Sequence, residues 1–144
     1  MIDYKIKTRE EYDYALSRGF DALYDTRFHL PIALRKSIQK ERFGGNDARG
    51  NEAFYKYCLY VYPHVCENCM RPIEKASAIN VSHILSRGSN PAMAHDPRNV
   101  SILCARCHSL WEHATTRDEM RMSYVEKMER RIEQLKREYN VQQD

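Results

Sequence analysis

Two Cys-x2-Cys pairs constrain the fold of this chain more than any other feature of its sequence. The first pair is Cys66 and Cys69, and the second is Cys104 and Cys107. Four thiolates at the corners of a tetrahedron match the coordination that zinc prefers in structural sites. We therefore predict a structural Zn²⁺ site that ties together the two ends of the intervening stretch, residues 70 to 103.

Cysteines also have uses that involve no metal. Cys58 lies in an apolar helical stripe with Phe54, Tyr57 and Val61, so we expect it to be an inert core residue. Disulfides are the rival chemistry for the paired cysteines. The first residues carry charge from the third position onward, which is not typical of a secretory leader. We therefore expect a cytoplasmic protein, in a reducing compartment where paired cysteines bind metal.

Length and composition indicate one small domain with extensions. A chain of 144 residues, 42% hydrophobic and 30% charged, can bury one modest core. No apolar run approaches membrane-spanning length, so we expect no membrane partner. The formal net charge of +3 favours a polyanionic partner only mildly, but the basic excess falls on the first two thirds of the chain.

Three helices are predicted before the first cysteine pair. Thr8 and Glu11 form a capping box at the start of the first helix. Pro31 suits the first turn of the second helix. Asn51 can cap the third helix, which we expect to end at Pro63.

The hydrophobic period changes after the third helix. Residues 79–82 and 100–103 have the character of two short strands, and the stretch between them is rich in loop-forming residues. A helix is expected from about Arg106. Thr116 with Glu119 is expected to cap a last long helix, whose apolar residues recur every three or four positions. That stripe could pair with a second copy of the chain or fold back on the core.

These elements predict an α+β fold. Strand, loop, strand and helix, with the cysteine pairs before the first strand and after the second, follow the order of a ββα-metal finger. N-terminal helices and a long C-terminal helix flank this finger. We predict a helical N-terminal segment over residues 1–60, a core over residues 61–116, and the C-terminal helix over residues 117–144.

Two stretches, HVCENCMRPI and VSHILSRGSNPAMAHDPRNVSILCARCHSLWEH, resemble the HNH endonucleases of the zinc-stapled, four-cysteine type, particularly small phage-encoded ones. The resemblance covers about residues 54–116, with the cysteines, His83, Asn99 and His108 in the expected order. It implies a metal-dependent endonuclease that hydrolyses DNA phosphodiester bonds to 5′-phosphate and 3′-hydroxyl ends. For a phage-encoded chain the compartment would be the bacterial host cytoplasm.

The resemblance also implies roles for individual residues. His83 matches the general base that takes a proton from water, a role suited to the ordinary pKa of imidazole. Asn99 matches the central asparagine, whose amide orients the loop or the base and can approach the metal. His108 matches the last histidine of the motif, which would ligate one catalytic divalent cation: Mg²⁺, Mn²⁺, Ni²⁺ or Zn²⁺.

One position departs from the family pattern. Ser82 stands where many members carry an aspartate or histidine ligand, and a neutral hydroxyl is a poor substitute for an anionic oxygen. Glu112 follows His108 by about one helical turn and projects from nearly the same face, so we predict that both bind the catalytic metal. Arg87 and Arg98 flank the loop and are candidate DNA phosphate contacts.

A non-catalytic interpretation stays open beside the enzyme. The chain could be a zinc-stapled nucleic-acid-binding module, in which Asn99 simply holds a turn and His83 is a structural residue. A binding module has no need of His83, Asn99 and His108 together, which favours the endonuclease. A homodimer through the C-terminal helix is a further possible partner arrangement.

Overall fold

A computed structural model describes residues 3–141 of the chain. The elements before the first cysteine pair are β1 (Tyr4–Lys5), α1 (Arg9–Ser17), β2 (Phe28–His29), α2 (Ile32–Phe43) and α3 (Ala48–Val61). The later elements are β3 (Val81–His83), β4 (Val100–Ile102), α4 (Ala105–Glu112) and α5 (Met122–Val141). Short 3₁₀ turns cover Ala78–Asn80, Pro91–Met93, Pro97–Asn99 and Ala114–Glu119. The prediction of a mixed fold, with helices and a small sheet around a cysteine cluster, is confirmed.

Side-chain capping explains where α1 and α3 begin. The hydroxyl of Thr8 accepts the backbone N–H of Glu11 at 3.2 Å, as the capping box predicts. α3 starts earlier than predicted, because the carboxylate of Asp47 accepts the backbone N–H of Gly50 at 2.9 Å. The prediction that Asn51 caps this helix is therefore wrong, and Asn51 lies inside the first turns of α3.

The four strands of the described residues form two sheets of two strands each. β1 and β2 pair in parallel, whereas β3 and β4 pair antiparallel. In the second pair Val81 lies opposite Ile102, and His83 lies opposite Val100. His83 is therefore the last residue of β3 and stands beside the loop that connects the two strands.

The N-terminal helices and the β3–β4 pair share one hydrophobic core. Fully or almost fully buried side chains from both parts contact each other there: Tyr12, Leu23, Ile38, Phe54, Cys58, Val81, Val100 and Ile102. The expectation that Cys58 is an inert core residue is confirmed by its complete burial. This shared core fixes α3 against the strand that carries His83.

The last helix, α5, packs against the region of the cysteine cluster and against α2. Tyr124 and Met128 pack with Trp111 beside the cysteine cluster. Farther along α5, Leu135 and Tyr139 pack with Ile32 of α2. Because the apolar stripe is buried within its own chain, it has no free face for a second copy, and the predicted homodimer through this helix is not supported.

The boundaries of the C-terminal helix differ from the prediction. The hydroxyl of Thr116 bonds to the carbonyls of Leu110 and His113 at 2.8 and 2.9 Å, so it closes the turn behind it instead of capping a helix ahead. The 3₁₀ turn Ala114–Glu119 follows, and α5 begins at Met122. Residues 142–144 of the predicted helix lie outside the described residues. Among residues 3–141, no helix is long and apolar enough to cross a membrane.

Candidate active site and metal centre

The four paired cysteines converge on one point. Their Sγ atoms all lie within 4.8 Å of one another, and those of Cys69 and Cys104 are 3.9 Å apart. A tetrahedron with metal–sulfur bonds of about 2.3 Å has sulfur–sulfur edges of about 3.8 Å. None of the cysteines forms a disulfide. The donor set therefore fits a structural metal.

Polar donors around the sulfurs support thiolate ligands. The side-chain amide of Asn68 donates to the Sγ of Cys107 at 3.3 Å, and the backbone N–H of Cys69 donates to the Sγ of Cys66 at 3.5 Å. Burial raises the pKa of Cys66, but hydrogen bonds from neighbouring backbone groups bring it down to about 7. Burial raises the pKa of Cys107 to about 12, so a metal ion must displace its proton.

Asn68 also links the cysteine cluster to the segment before α5. Its side-chain oxygen accepts the backbone N–H of Arg121 at 2.9 Å. One buried carboxamide thus donates to a metal-binding sulfur and holds the entry to the last helix. Such outer contacts orient metal ligands, and their loss weakens metal binding.

A polar cavity of about 540 Å³ lies between α3, the end of β3 and α4. It brings together four of the predicted site residues: His83, Arg87, His108 and Glu112. Asn99 and Arg98 do not line it. Its remaining walls are Asn46, Asn51, Tyr55, Ala78, Val81, Ser86 and Gly88.

His83 is held as a neutral imidazole. Its Nε2 lies 2.8 Å from the carbonyl oxygen of Ala94, so this nitrogen carries the proton and the lone pair is on Nδ1. Burial lowers the pKa of His83 to about 4. The rings of Phe54 and Tyr55 pack near it, with centroids 5.9 and 6.0 Å away. At neutral pH the ring is therefore a proton acceptor with a fixed orientation.

His108 and Glu112 form the second half of the candidate site. The Nδ1–H of His108 donates to the carbonyl of Ile79 at 2.6 Å, which leaves the lone pair on Nε2. That Nε2 lies 2.8 Å from a carboxylate oxygen of Glu112. Two electron-rich atoms at this distance need a proton or a cation between them or beside them. The pair therefore has the donor chemistry of a divalent-cation site.

The pair supplies two protein ligands. Within residues 3–141, the only group of three or more His, Cys, Asp or Glu side chains close enough to share one ion is the cysteine cluster. Magnesium-type sites commonly use one or two protein ligands and keep other positions for water and substrate phosphate. The glutamate is more than half exposed, which leaves those positions accessible.

Ser82 lies apart from this pair. Its side chain is 1% exposed and is not part of the cavity wall, because neighbouring residues of a strand point to opposite faces. Within the described part of the chain, its Oγ has no hydrogen-bond partner. Ser82 therefore lies on the buried face of β3 that is opposite the face carrying Val81 and His83.

The side chain of Asn99 closes the loop between β3 and β4. Its Oδ1 accepts the backbone N–H of Leu85 at 2.9 Å, and its Nδ2 donates to the carbonyls of Leu85 and Met93 at 2.9 and 3.2 Å. The residue is completely buried. Its position suits orientation of the loop, and its side chain does not line the polar cavity.

Arg98 requires a correction to the predicted DNA contacts. Its guanidinium is 12% exposed and forms ion pairs with Asp96 at 2.9 Å and Glu138 at 2.8 Å. Asp96, itself fully buried, also pairs with Arg35 and accepts the hydroxyl of Tyr139. Because these carboxylates already occupy the guanidinium inside the protein, Arg98 anchors α5 to the loop and is not available to DNA.

Sequence reasoning missed the contribution of α3 to the cavity. Asn51 and Tyr55 are spaced one helical turn apart on a face beside the apolar stripe, and both line the cavity. Asn51 also accepts the Nε2–H of the buried His95 at 2.8 Å. The spacing of the two residues was the one local signal, but nothing local shows that this face meets the loop after β3.

A second large cleft has a different character. It has a volume of about 600 Å³ and lies against β1, α1 and β2. Aromatic rings dominate its wall, including the exposed Tyr4 and Phe20 and the partly buried Phe28. Its lining includes Glu10 and Glu11 but no histidine or cysteine within the described residues, so it lacks the imidazole base and imidazole ligand that the polar cavity offers.

Comparison with known families agrees with the geometry of the polar cavity and cysteine cluster. Residues 66–113 match the model of the family described as HNH endonuclease. This segment is about one third of the chain and contains all four paired cysteines, His83, Asn99, His108 and Glu112. No curated protein and no solved structure matches the chain. The HNH resemblance predicted from the sequence is thus confirmed for this segment, and α3 lies outside it.

Proposed function

From the HNH endonuclease domain of residues 66–113, we propose that this chain is a metal-dependent endonuclease. It hydrolyses DNA phosphodiester bonds to 5′-phosphate and 3′-hydroxyl ends. One observation carries the proposal: a neutral His83 and the His108–Glu112 pair line the same open cavity. A base and a cation site on one cavity are the two parts that hydrolysis of a phosphodiester needs.

His83 acts as the general base. Its Nδ1 accepts a proton from the attacking water, while the bond from Nε2–H to the carbonyl of Ala94 keeps the ring oriented and stabilises the imidazolium that forms. An imidazole with a pKa of about 4 is a weak base in the free protein. A phosphodiester bound in the cavity raises that pKa, because a nearby negative charge favours the protonated ring.

His108 and Glu112 would hold the catalytic divalent cation. When bound, the cation neutralises the charge that develops on the phosphorus oxygens and on the leaving 3′ oxygen. The carbonyl of Ile79 fixes the tautomer of His108, so its Nε2 lone pair is directed at the cation site. Mg²⁺, Mn²⁺, Ni²⁺ and Zn²⁺ are the candidates that the histidine and carboxylate donors admit.

The four cysteines would hold a structural Zn²⁺. Their sulfurs form a closed donor set with no place for substrate, as expected for a structural centre. β3, β4 and α4 then form the predicted ββα-metal core of residues 61–116, which the N-terminal segment and α5 flank. Asn99 supports this core by orienting the loop between the strands.

Zinc-loaded protein incubated with supercoiled plasmid tests the proposal. We expect nicked or linear DNA on addition of Mg²⁺, Mn²⁺ or Ni²⁺, and we expect DNA ligase to reseal the nicks, because sealing requires 5′-phosphate and 3′-hydroxyl ends. His108→Ala should lose cleavage, whereas His113→Ala, which changes an exposed neighbouring histidine, should retain it.

The alternative function is a non-catalytic zinc-stapled nucleic-acid-binding module. The small number of protein ligands at the His108–Glu112 pair is the observation that favours it. Its signature is a mobility shift of the plasmid or a short duplex without strand breakage under any of the three metals. In that outcome the endonuclease proposal is wrong.

A further inference from the structure

Three contacts join the N-terminal segment to the loop that follows β3. The side-chain amide of Asn46 donates to the carbonyl of Arg87 at 3.5 Å, and Asn51 bonds to His95 at 2.8 Å. The guanidinium of Arg87 lies over the ring of Tyr55, 5.8 Å from its centroid. The N-terminal partners all lie outside the matched HNH segment, so this wall of the cavity is built from outside that segment.

Tyr55 occupies the centre of this wall. Its ring supports Arg87 on one side and meets the ring of His83 edge-on at 6.0 Å on the other. The side chain is half-buried in α3, and the shared core holds that helix against β3. The ring therefore has little freedom, and it can fix the direction of a mobile cationic side chain at low entropic cost.

Arg87 carries a charge that no acidic side chain neutralises. Within residues 3–141 it forms no ion pair, whereas Arg98 is paired twice and Lys56 pairs with Glu52 at 3.3 Å. An arginine supported by an aromatic face and open to a cavity is well suited to a phosphate.

Arg87 also stands where two cavities meet. A groove of about 480 Å³ runs along α3. Four residues line both this groove and the polar cavity: Asn51, Tyr55, Ala78 and Arg87. His108 and Glu112 line the polar cavity alone. A nucleic-acid strand whose reacting phosphate lies at that pair can continue into the groove, with its next phosphate near the junction.

We propose that Tyr55 is a positioning residue, which holds Arg87 to bind the phosphate flanking the scissile one as the DNA strand enters the groove along α3. This inference rests on the proposed function for the nature of the strand. It adds that Arg87 contacts the phosphate next to the scissile one, and that Tyr55, which lies outside the HNH segment, positions Arg87 for this contact.

A double-mutant cycle in DNA binding tests the inference. Zinc-loaded full-length protein is titrated with a short duplex over a salt series, without added divalent cation, so that no cleavage occurs. Arg87→Ala should reduce the slope of log affinity against log salt by about 0.9, the value for one lost phosphate contact. Tyr55→Leu should weaken binding about three- to tenfold, the range expected for a lost cation–π support.

The decisive result is the behaviour of the double variant. Tyr55→Leu should have no further effect on binding once Arg87 is alanine, because its role acts through that guanidinium. Tyr55→Phe should restore wild-type binding, since it keeps the ring. Tyr60→Leu changes a tyrosine of the same helix that is 88% exposed, and it serves as the matched control.

Additive effects of Tyr55→Leu and Arg87→Ala, or wild-type binding by Tyr55→Leu, would overturn the inference. If Tyr55→Leu does not fold, Tyr55→Met fills a similar volume without an aromatic face and takes its place in the cycle. A plasmid assay on the same proteins separates the two proposals. Wild-type cleavage with an additive cycle refutes only the role of Tyr55, whereas a coupled cycle without cleavage refutes the endonuclease and leaves Tyr55 and Arg87 as a DNA phosphate contact.

Discussion

The cysteine cluster and the polar cavity present metal-ligating types of side chain in opposite ways. Four sulfurs within 4.8 Å of one another leave no coordination position for substrate. In the cavity, one histidine and one glutamate present two donor atoms 2.8 Å apart beside an open volume of about 540 Å³. Under the proposed function, this comparison teaches that a closed donor set stabilises the fold, whereas an incomplete one leaves room for the reacting phosphate.

The two regions are also built differently by the chain. Cys66 and Cys69 flank a short turn, and Cys104 and Cys107 lie at the start of α4, all within the HNH segment. The cavity combines that segment with α3, which reaches it only through the shared hydrophobic core. Metal loss at the cysteines should therefore affect folding, whereas changes at the cavity should affect chemistry and leave folding intact.

The largest effect is expected at the cysteine cluster. Cys66→Ser removes one of four thiolates, and structural zinc sites contribute about 10 kcal/mol or more to folding. This exceeds the ordinary stability of a small domain, so we expect loss of bound zinc and of the cooperative thermal transition. Metal analysis and circular dichroism measure both. Cys58→Ser, at the buried cysteine outside the cluster, is the control that should retain zinc. Retention of zinc and of a cooperative melt by Cys66→Ser would break the comparison.

A smaller effect is expected at Asp96, which anchors the loop without any metal. Breaking a buried ion pair costs about 3–5 kcal/mol, so Asp96→Asn should unfold at lower denaturant concentration. Burial alone raises the pKa of Asp96, but Arg35 and Arg98 hold it well below its usual value. Since the pKa is lower in the folded chain, this stabilisation is present at neutral pH and is lost as pH falls below about 4.

Denaturant titrations of the wild type and Asp96→Asn between neutral pH and pH 3 check this prediction. The stability difference between them should narrow as the pH falls, while any loss of cysteine-bound metal affects both proteins alike. Glu138→Gln changes the more exposed carboxylate on Arg98 and should cost much less. A constant difference across the pH range would contradict the account.

Substitution of Glu112 tests whether the His108–Glu112 pair binds the catalytic cation. Glu112→Ala should raise the Mn²⁺ concentration needed for half-maximal cleavage by about 10- to 100-fold, because one of two protein ligands is lost. The thermal transition and zinc content should not change, since the side chain is more than half exposed. Glu119→Ala, at another exposed glutamate, is the matched control. An unchanged metal requirement for Glu112→Ala would show that the cation binds elsewhere.

The smallest effect is expected at Ser82. Its buried Oγ has no hydrogen-bond partner within the described residues, and such a group costs about 1–3 kcal/mol. Ser82→Ala should therefore match or slightly exceed the wild type in thermal stability, with the same cleavage rate. A marked loss of metal-dependent cleavage would instead make the hydroxyl a ligand, as the family pattern at this position suggests.

The sequence predicts the cysteine cluster better than it predicts the polar cavity. Cys-x2-Cys spacing alone indicates the cysteine cluster. The two cysteines of each pair are close in sequence, so the only long-range contact required is the one between the two pairs. Capping signals likewise predict the start of α1 at Thr8. They fail for α3, where Asp47 offers the helix an earlier cap than Asn51, and for α5, where the hydroxyl of Thr116 bonds backward.

The remaining errors come from contacts between distant parts of the chain. Arg98 resembles a free cation in the sequence, but its partner Glu138 lies on α5, far along the chain. The stripe of α5 predicts an apolar face without saying what covers it. Tyr55 enters the cavity only because the core joins α3 to β3. Local sequence patterns do not indicate which distant residues contact each other.

Single-turnover cleavage of a short duplex by wild-type protein and by His83→Ala, both zinc-loaded and with saturating Mn²⁺, tests the central claim most directly. The account predicts a cleavage rate about 100- to 10,000-fold lower for His83→Ala, the contribution of a general base, at unchanged zinc content. Equal cleavage rates for the two proteins would contradict the assignment of the base and the chemistry built on it.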